Sequence, residues 1–183
     1  MTSGPTLETR RLILRPPEQR DFDAWAAMHT EEDTMQHIGG VCSRDAAWRN
    51  MAAQAGSWLL LGFGMFSVLE KESGRWVGRI GPLRPGGEQG GWPGDEVGWA
   101  LSRAGRGKGY ALEGATAAMN WAFDRLGWQD IIHCIGKSNS PSIVLAERLG
   151  SRRLREDVTM PAPFEAYQVD IYGQSKAEWR ARE

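Results

Sequence analysis

The chain has 183 residues, with 22 Lys and Arg against 23 Asp and Glu, for a formal charge of -1. That length predicts a single domain over 1–183, long enough to bury a core without metal or disulfide staples. The balanced charge lacks the basic excess of a protein that lives on phosphate backbones, which disfavours nucleic acid as the main partner.

Two cysteines, Cys42 and Cys134, match no metal-ligand spacing, and the opening MTSGPTLETRR lacks the apolar core of a signal peptide, so a reducing cytoplasm is expected. The longest apolar run, Trp58 to Phe66, is too short to span a bilayer and is broken by Gly62 and Gly64. No membrane anchor is predicted.

Taken in chain order, RRLILRPP (Arg11 to Pro17) reads as an opening strand closed by two prolines. Asp21 is the expected cap of a short helix with Phe22, Trp25 and Met28 on one face. A second helix starts at Ser43, carries Ala47, Trp48 and Met51 as its apolar stripe, and is expected to stop at Gly56. Met65 to Glu70 and Arg75 to Ile80 then form a hairpin around Ser73-Gly74. Residues 81–94 hold six glycines and three prolines, too many for a regular element. A loop of that length inside a compact domain is usually functional or mobile.

Glu96 to Ser102 reads as the next strand, and Leu112, Ala115, Met119, Ala122, Phe123 and Leu126 fall at helical spacing up to Gly127. DIIHCI (Asp130 to Ile135) is a buried strand. NSPSIVLAERLG follows as a helix with Pro141 in its first turn and Gly150 past its end. AYQVDIYG gives a last strand of a core spanning about 7–174, and 175–183 a short exposed helix. The order argues a mixed sheet with helices on its faces.

Between strand and helix lies RAGRGKGYALEGA, Arg103 to Ala115. Such a turn aims free backbone N–H groups and the positive end of a helix dipole at one point, an anion site before any side chain is counted. A nucleotide P-loop would need Gly five residues before Gly107-Lys108 and Ser or Thr after it; Ser102 and Gly109 stand there instead. A dinucleotide fingerprint would need glycine where Tyr110 or Leu112 stands.

Arg106-Gly107-Lys108-Gly109-Tyr110-Ala111 does match Arg/Gln-x-x-Gly-x-Gly/Ala, and here the chain resembles the Gcn5-related N-acetyltransferases. LETRRLILRPPEQRDFDAW, EVGWALSRAGRGKGYALEGA, NSPSIVLAERLGS and VDIYGQSKAEW resemble the Rim-type branch, the ribosomal-protein alanine acetyltransferases, along nearly the whole length. The resemblance implies an α/β (α+β) fold: a mixed, mostly antiparallel sheet with a splayed, V-shaped opening and helices on both faces. It implies acetyl-CoA as cosubstrate and direct transfer to a primary amine, a protein N-terminus or a small molecule, without metal. By the same resemblance, backbone groups near Trp99 and Leu101 pair with the pantetheine arm, residues Arg106, Gly107, Lys108, Gly109, Tyr110 and Ala111 take the pyrophosphate, and Asn139 meets the arm from the far side.

The chemistry requires a neutral amine, which costs a lysine-like group roughly 4.6 kcal/mol at pH 7 and an α-amine only about 1.4 kcal/mol. Glu96, opening the central strand, is the candidate base, directly or through a water; a carboxylate at a strand end with no role is the alternative, and Asp95 competes. His133 among isoleucines reads as a core residue, and nothing around His29 or His37 marks a site. Many relatives carry a tyrosine acid just before the Glu of the Asn139 segment; Ala146 stands there before Glu147, so Ser142 becomes the candidate proton donor to the CoA thiolate, with helix capping as its competing role.

Trp25, Trp48 and Trp58 read as core, while Trp92 on the glycine-rich loop reads as a lid or a contact to a partner or the acceptor. The missing tyrosine keeps a second reading open, a degenerate acyl-CoA sensor or scaffold without turnover. Acetylation of an aminoacyl-tRNA is disfavoured by the charge. The sequence does not choose between monomer and homodimer.

Overall fold

The computed structural model describes residues 4–87, 91–162 and 164–182. The middle of the predicted glycine-rich loop, 88–90, lies outside the described residues. Eight strands form one sheet: β1 (Leu7–Glu8), β2 (Leu12–Arg15), β3 (Phe66–Glu70), β4 (Trp76–Leu83), β5 (Glu96–Leu101), β6 (Asp130–Ile135), β7 (Arg152–Thr159) and β8 (Gln168–Ser175). Their order across the sheet is β1-β2-β3-β4-β5-β6-β8-β7, and every neighbouring pair is antiparallel except β5 with β6. The helices are α1 (Phe22–Met28), α2 (Glu32–Met35), α3 (Arg44–Leu60), α4 (Tyr110–Trp121), α5 (Ser140–Arg148) and α6 (Lys176–Arg180). The mixed, mostly antiparallel sheet expected from the sequence is the one observed.

Adjacent residues of a strand point to opposite faces, and β5 shows both halves of the core at once. Leu101 packs with Tyr110, Ala115, Ala118 and Met119 of α4, while Ala100 packs with Trp25, Met28, Ala47 and Met51 of α1 and α3. Helices therefore cover both faces, as the V-shaped architecture requires.

Local chemistry explains most ends. Ser43 Oγ accepts the Ala46 N–H at 3.3 Å and starts α3, and Ser175 with Glu178 closes a capping box on α6. Asp21 stands at the predicted cap position of α1, but its carboxylate makes no capping bond there. It is turned instead to Arg15, whose guanidinium it binds in a fork at 2.7 and 2.8 Å in a buried setting, and it also accepts from Ser67 Oγ at 2.7 Å. A buried guanidinium outcompetes two backbone N–H groups that water can reach.

Three further details differ from the expectation. Helix α3 runs past Gly56 to Leu60, because nothing after that glycine demands a turn until Gly62 at φ +74°. Trp48 is 44 % exposed rather than part of the buried stripe, and the Phe22 ring meets it edge-on at 5.0 Å. The two strands missed in the sequence, β1 and β7, are both outermost; β7 (RRLREDVT) is solvated along nearly its whole length, so it lacks the apolar alternation by which strands are recognised. No helix among the described residues is long and apolar enough to cross a membrane.

Candidate active site

Strands β5 and β6 meet at one Cα pair, Glu96 with Ile132, and then part. Side chains explain why. The Ile132 N–H bonds to the Asp95 carbonyl at 2.9 Å, and the next rung of a parallel ladder would join the Cys134 N–H to the Val97 carbonyl. Both groups are taken. The Cys134 N–H donates to Glu96 Oε1 at 3.1 Å, and the Val97 carbonyl accepts from His133 Nδ1 at 2.6 Å. A carboxylate and an imidazole thus occupy the ladder positions and wedge the sheet open.

The His133 assignment follows from its partners. A carbonyl only accepts, so Nδ1 carries the proton, and Nε2 accepts from the Ser151 hydroxyl at 3.1 Å. Ser151 Oγ in turn accepts from Gln174 Nε2 at 2.9 Å. Burial pushes the His133 pKa down to about 4, so the ring is neutral and its basic nitrogen is already used. His133 is the core residue that its isoleucine neighbours suggested.

Beyond the split, β5 presents free edge groups to the opening. Ser102 N–H bonds to the Val77 carbonyl, so even-numbered β5 residues serve β4, and odd-numbered ones face β6. Trp99 and Leu101 are odd-numbered and lie past the point where β6 turns away. Their N–H and C=O groups point to the side that β6 has left, and Trp99 lines a cavity of about 630 Å³ that also borders Glu96, Ser142 and Asn139.

Glu96 is 6 % exposed. Burial raises its pKa, opposed by the bonds it accepts from Cys134 and from Trp92 Nε1, the latter at 2.6 Å. Asp95, the competing carboxylate, is held by Arg84. The Cys134 thiol stays protonated, raised by burial and by the adjacent Glu96 charge.

Ser142 is not the cap of α5. Asn139 fills that role, its Oδ1 accepting the Ser142 N–H at 3.3 Å. The Ser142 hydroxyl accepts from Trp99 Nε1 at 3.1 Å, which leaves its own proton to give into the cavity. Ala146 is fully buried against Ile135 and Tyr172, so that position offers no acid.

The glycine turn opens α4 as a bare N-terminus. Gly109, at φ +79°, is its N-cap residue without a side-chain bond, and a Cβ built on Gly107, at φ +76°, would meet nothing within 4 Å. Arg106 bonds to Asp33 at 2.9 Å and Thr34 at 2.8 Å, and Lys108 bonds to Glu70 at 3.0 Å. The Tyr110 hydroxyl also donates to Glu70, at 2.5 Å, so its ring is a packing element and its backbone faces the turn. Open N–H groups, absent side chains and two cations at the rim fit a pyrophosphate.

Residues unremarked in the sequence also shape the site. Arg11 Nη1 donates to the Lys108 carbonyl at 2.9 Å while its Nε pairs with Glu113 at 2.7 Å, fixing the turn from outside. Arg79, in β4, reaches the same cavity as Glu96; an arginine at a buried phase of a strand was the signal for it. No cluster of three or more metal-ligating side chains occurs among the described residues.

Comparison with known proteins bears on the family and the fold. A family model described as an acetyltransferase (GNAT) domain matches residues 11–152. Uncharacterized N-acetyltransferase YnaD of Bacillus subtilis (strain 168) is 26% identical over 148 residues, 80% of this chain and 82% of that protein. An acetyltransferase from Agrobacterium tumefaciens str. C58 superposes with a TM-score of 0.81 at 28% identity, covering 95% of this chain and 96% of that one. A GNAT-family acetyltransferase from Bacillus anthracis does so at 0.75 and 25%, covering 92% and 96%.

Proposed function

Because the chain belongs to the GNAT acetyltransferase family, we propose that it moves an acetyl group from acetyl-CoA directly to a primary amine, with Glu96 as base and Ser142 as acid. That it is an acetyltransferase follows from the family; the acceptor and the residue roles are our reading. The observation that supports them is the split between β5 and β6, with a buried carboxylate at its apex and a cavity there that Trp99, Asn139 and Ser142 also line.

Acetyl-CoA supplies the activated acetyl thioester. Backbone N–H groups at Trp99 and Leu101 pair with the pantetheine arm as an added strand would, Arg106 to Ala111 hold the pyrophosphate, and Asn139 meets the arm from α5. Glu96, its pKa raised by burial towards the working pH, takes the amine proton directly or through one water. As the nitrogen–carbon bond forms and the carbon–sulfur bond breaks, the Ser142 hydroxyl donates to the departing sulfur, and the proton that Glu96 took from the amine, passed on through water, makes good the one the serine gives up. The Trp99 indole N–H holds that oxygen in place.

The resemblance of Leu7 to Trp25 and of the Asn139 segment to the Rim-type branch supports a protein α-amine as one acceptor class, with a small amine as the other. Release of free thiol from acetyl-CoA across an amine panel tests the reading. Wild type is expected to turn over and Glu96→Gln to fall by at least about 100-fold, the range of general-base catalysis. Tight acetyl-CoA binding with no thiol release from any amine would instead favour the acyl-CoA sensor that the alanine at position 146 leaves open.

A further inference from the structure

Arg79 is 8 % exposed and has no carboxylate partner among the described residues. Its Nη1 donates to Asn50 Oδ1 at 3.2 Å, its guanidinium lies 5.1 Å from the centre of the Trp25 ring, and its Nε has no hydrogen-bond partner among the described residues. The groups facing it from other elements are Trp25 of α1, His29 at the end of α1, Asn50 of α3 and the Cys42 thiol before α3; none is a carboxylate. His29 offers no negative charge, since its Nδ1–H donates to the Trp25 carbonyl at 2.9 Å and burial together with Arg79 lowers its pKa. A guanidinium removed from water without a counter-ion is costly.

The same residue lines the cavity that holds Glu96. Register pairs Arg79 with Ala100 and Leu83 with Glu96, and cross-strand partners share a face of the sheet. Arg79 and Glu96 therefore look into one space, about 13 Å apart along the strands. The rung between them is Gly81 opposite Gly98, so it contributes no side chain of its own; Leu83 and Met65 reach over Gly98, and Phe66 lies against Gly81. The other charges at the wall, Lys137 and Asp157, satisfy each other at 2.6 Å. Among the described lining residues, which also include His37 and His133, this leaves one carboxylate without a cationic partner, Glu96, and one cation without a carboxylate, Arg79.

We propose that Arg79 selects the acceptor: the amine to be acetylated carries an anionic group, a carboxylate or a phosphate, that the Arg79 guanidinium binds while the amine faces Glu96. This rests on the acetyltransferase reading of the cavity. A guanidinium offers a planar fork that suits either anion, and burial strengthens the pairing. Its source is a small amino acid-like molecule or an acidic residue near the start of a peptide, and the two are separable by experiment.

The test compares kcat/KM for matched acceptors: ω-amino carboxylates of increasing length against their methyl esters, an aminoalkyl phosphate against the amino alcohol, and peptides with Asp or Asn at the second position. Wild type is expected to favour the anionic member by about tenfold or more, the value of one charge-assisted contact. In Arg79→Met that preference should fall to within about threefold, and Arg79→Lys should keep part of it. The amine-free carboxylate should compete with acceptor in wild type and not in Arg79→Met. Equal use of both members by wild type overturns the proposal, as does a preference that survives Arg79→Met. Should Arg79→Met not fold, the wild-type ratios and Arg79→Lys decide alone. Turnover of neutral amines at undiminished rate would leave the acetyltransferase reading standing while this proposal falls, whereas failure of acetyl-CoA to bind in calorimetry removes both. If acetyl-CoA binds but no acceptor in the panel reacts, calorimetry with the carboxylates in the presence of CoA decides, and absence of binding overturns the proposal.

Discussion

The Trp92 indole N–H donates to Glu96 Oε2 at 2.6 Å, tying a residue of the glycine-rich connection to the carboxylate at the apex of the split sheet. The bond favours the charged carboxylate and so opposes the upward pull of burial on its pKa. Trp92→Phe keeps an apolar ring against Phe164 but removes the donor. The acid limb of the kcat/KM profile is expected to move up by about one pH unit, the scale of one hydrogen bond to a charged group. An unmoved limb would separate the tryptophan from the base.

Glu96 also links stability to pH. A carboxyl whose folded pKa lies above its unfolded value binds its proton more tightly when folded, so its contribution is present in acid and is lost as pH rises from about 4.3 through the raised value. Glu96→Gln abolishes that loss. Its melting temperature relative to wild type should therefore climb as pH rises from about 4 towards neutrality, while its turnover stays low; a pH-independent difference contradicts the burial argument.

Gly109→Asp puts a carboxylate and a Cβ at an αL position on the open end of α4, 3.3 Å from an Arg11 guanidinium nitrogen. CoA affinity measured by calorimetry should fall by about tenfold or more, since charge of the wrong sign then faces the pyrophosphate site. Undiminished affinity would move that site elsewhere.

Ser142 and Asn139 separate chemistry from capping. Asn139→Ala removes the α5 cap and should cost about 1 kcal/mol of stability. Ser142→Ala spares the cap, so it should lower kcat by more than it raises KM for acetyl-CoA, with a smaller thermal effect. Equal kcat would strip Ser142 of its role as acid.

Asp21→Asn tests the buried pair at the foot of β2. Burial raises the Asp21 pKa, but the bonds from Arg15, from the Glu18 N–H and from Ser67 outweigh it and hold the carboxyl below its ordinary value. Its stabilisation is therefore complete above about pH 4 and is lost as pH falls through the lowered pKa. The variant should be about 3 kcal/mol less stable near neutrality, and the gap should narrow in acid.

Much of this was readable in advance. The glycine turn carried its own chemistry, because an anion site made of backbone needs little beyond glycines and a helix start, and the hairpin of β3 and β4 announced itself through alternation and a Ser-Gly turn, although β4 runs on through Gly81, Pro82 and Leu83, which read as loop, because β5 pairs with them. The wedge at Glu96 and His133 was not readable, since it depends on which strand lies beside β5, and nothing local encodes a parallel neighbour thirty-odd residues away. Arg79 was only half visible for a related reason: an arginine at a buried phase of a strand stands out, but its lack of a carboxylate partner depends on which elements pack around it.

The split between β5 and β6 leaves an unfinished edge in the middle of the molecule, not at its rim. A donor lying along Trp99 and Leu101 would complete the sheet from inside, and a ligand that binds only the folded chain adds stability as the logarithm of its concentration over its dissociation constant. The survival of this protein against cellular proteases would then follow the level of its own acetyl donor. Were that donor to run short, fewer copies would persist, so supply would set the amount of catalyst as well as its rate.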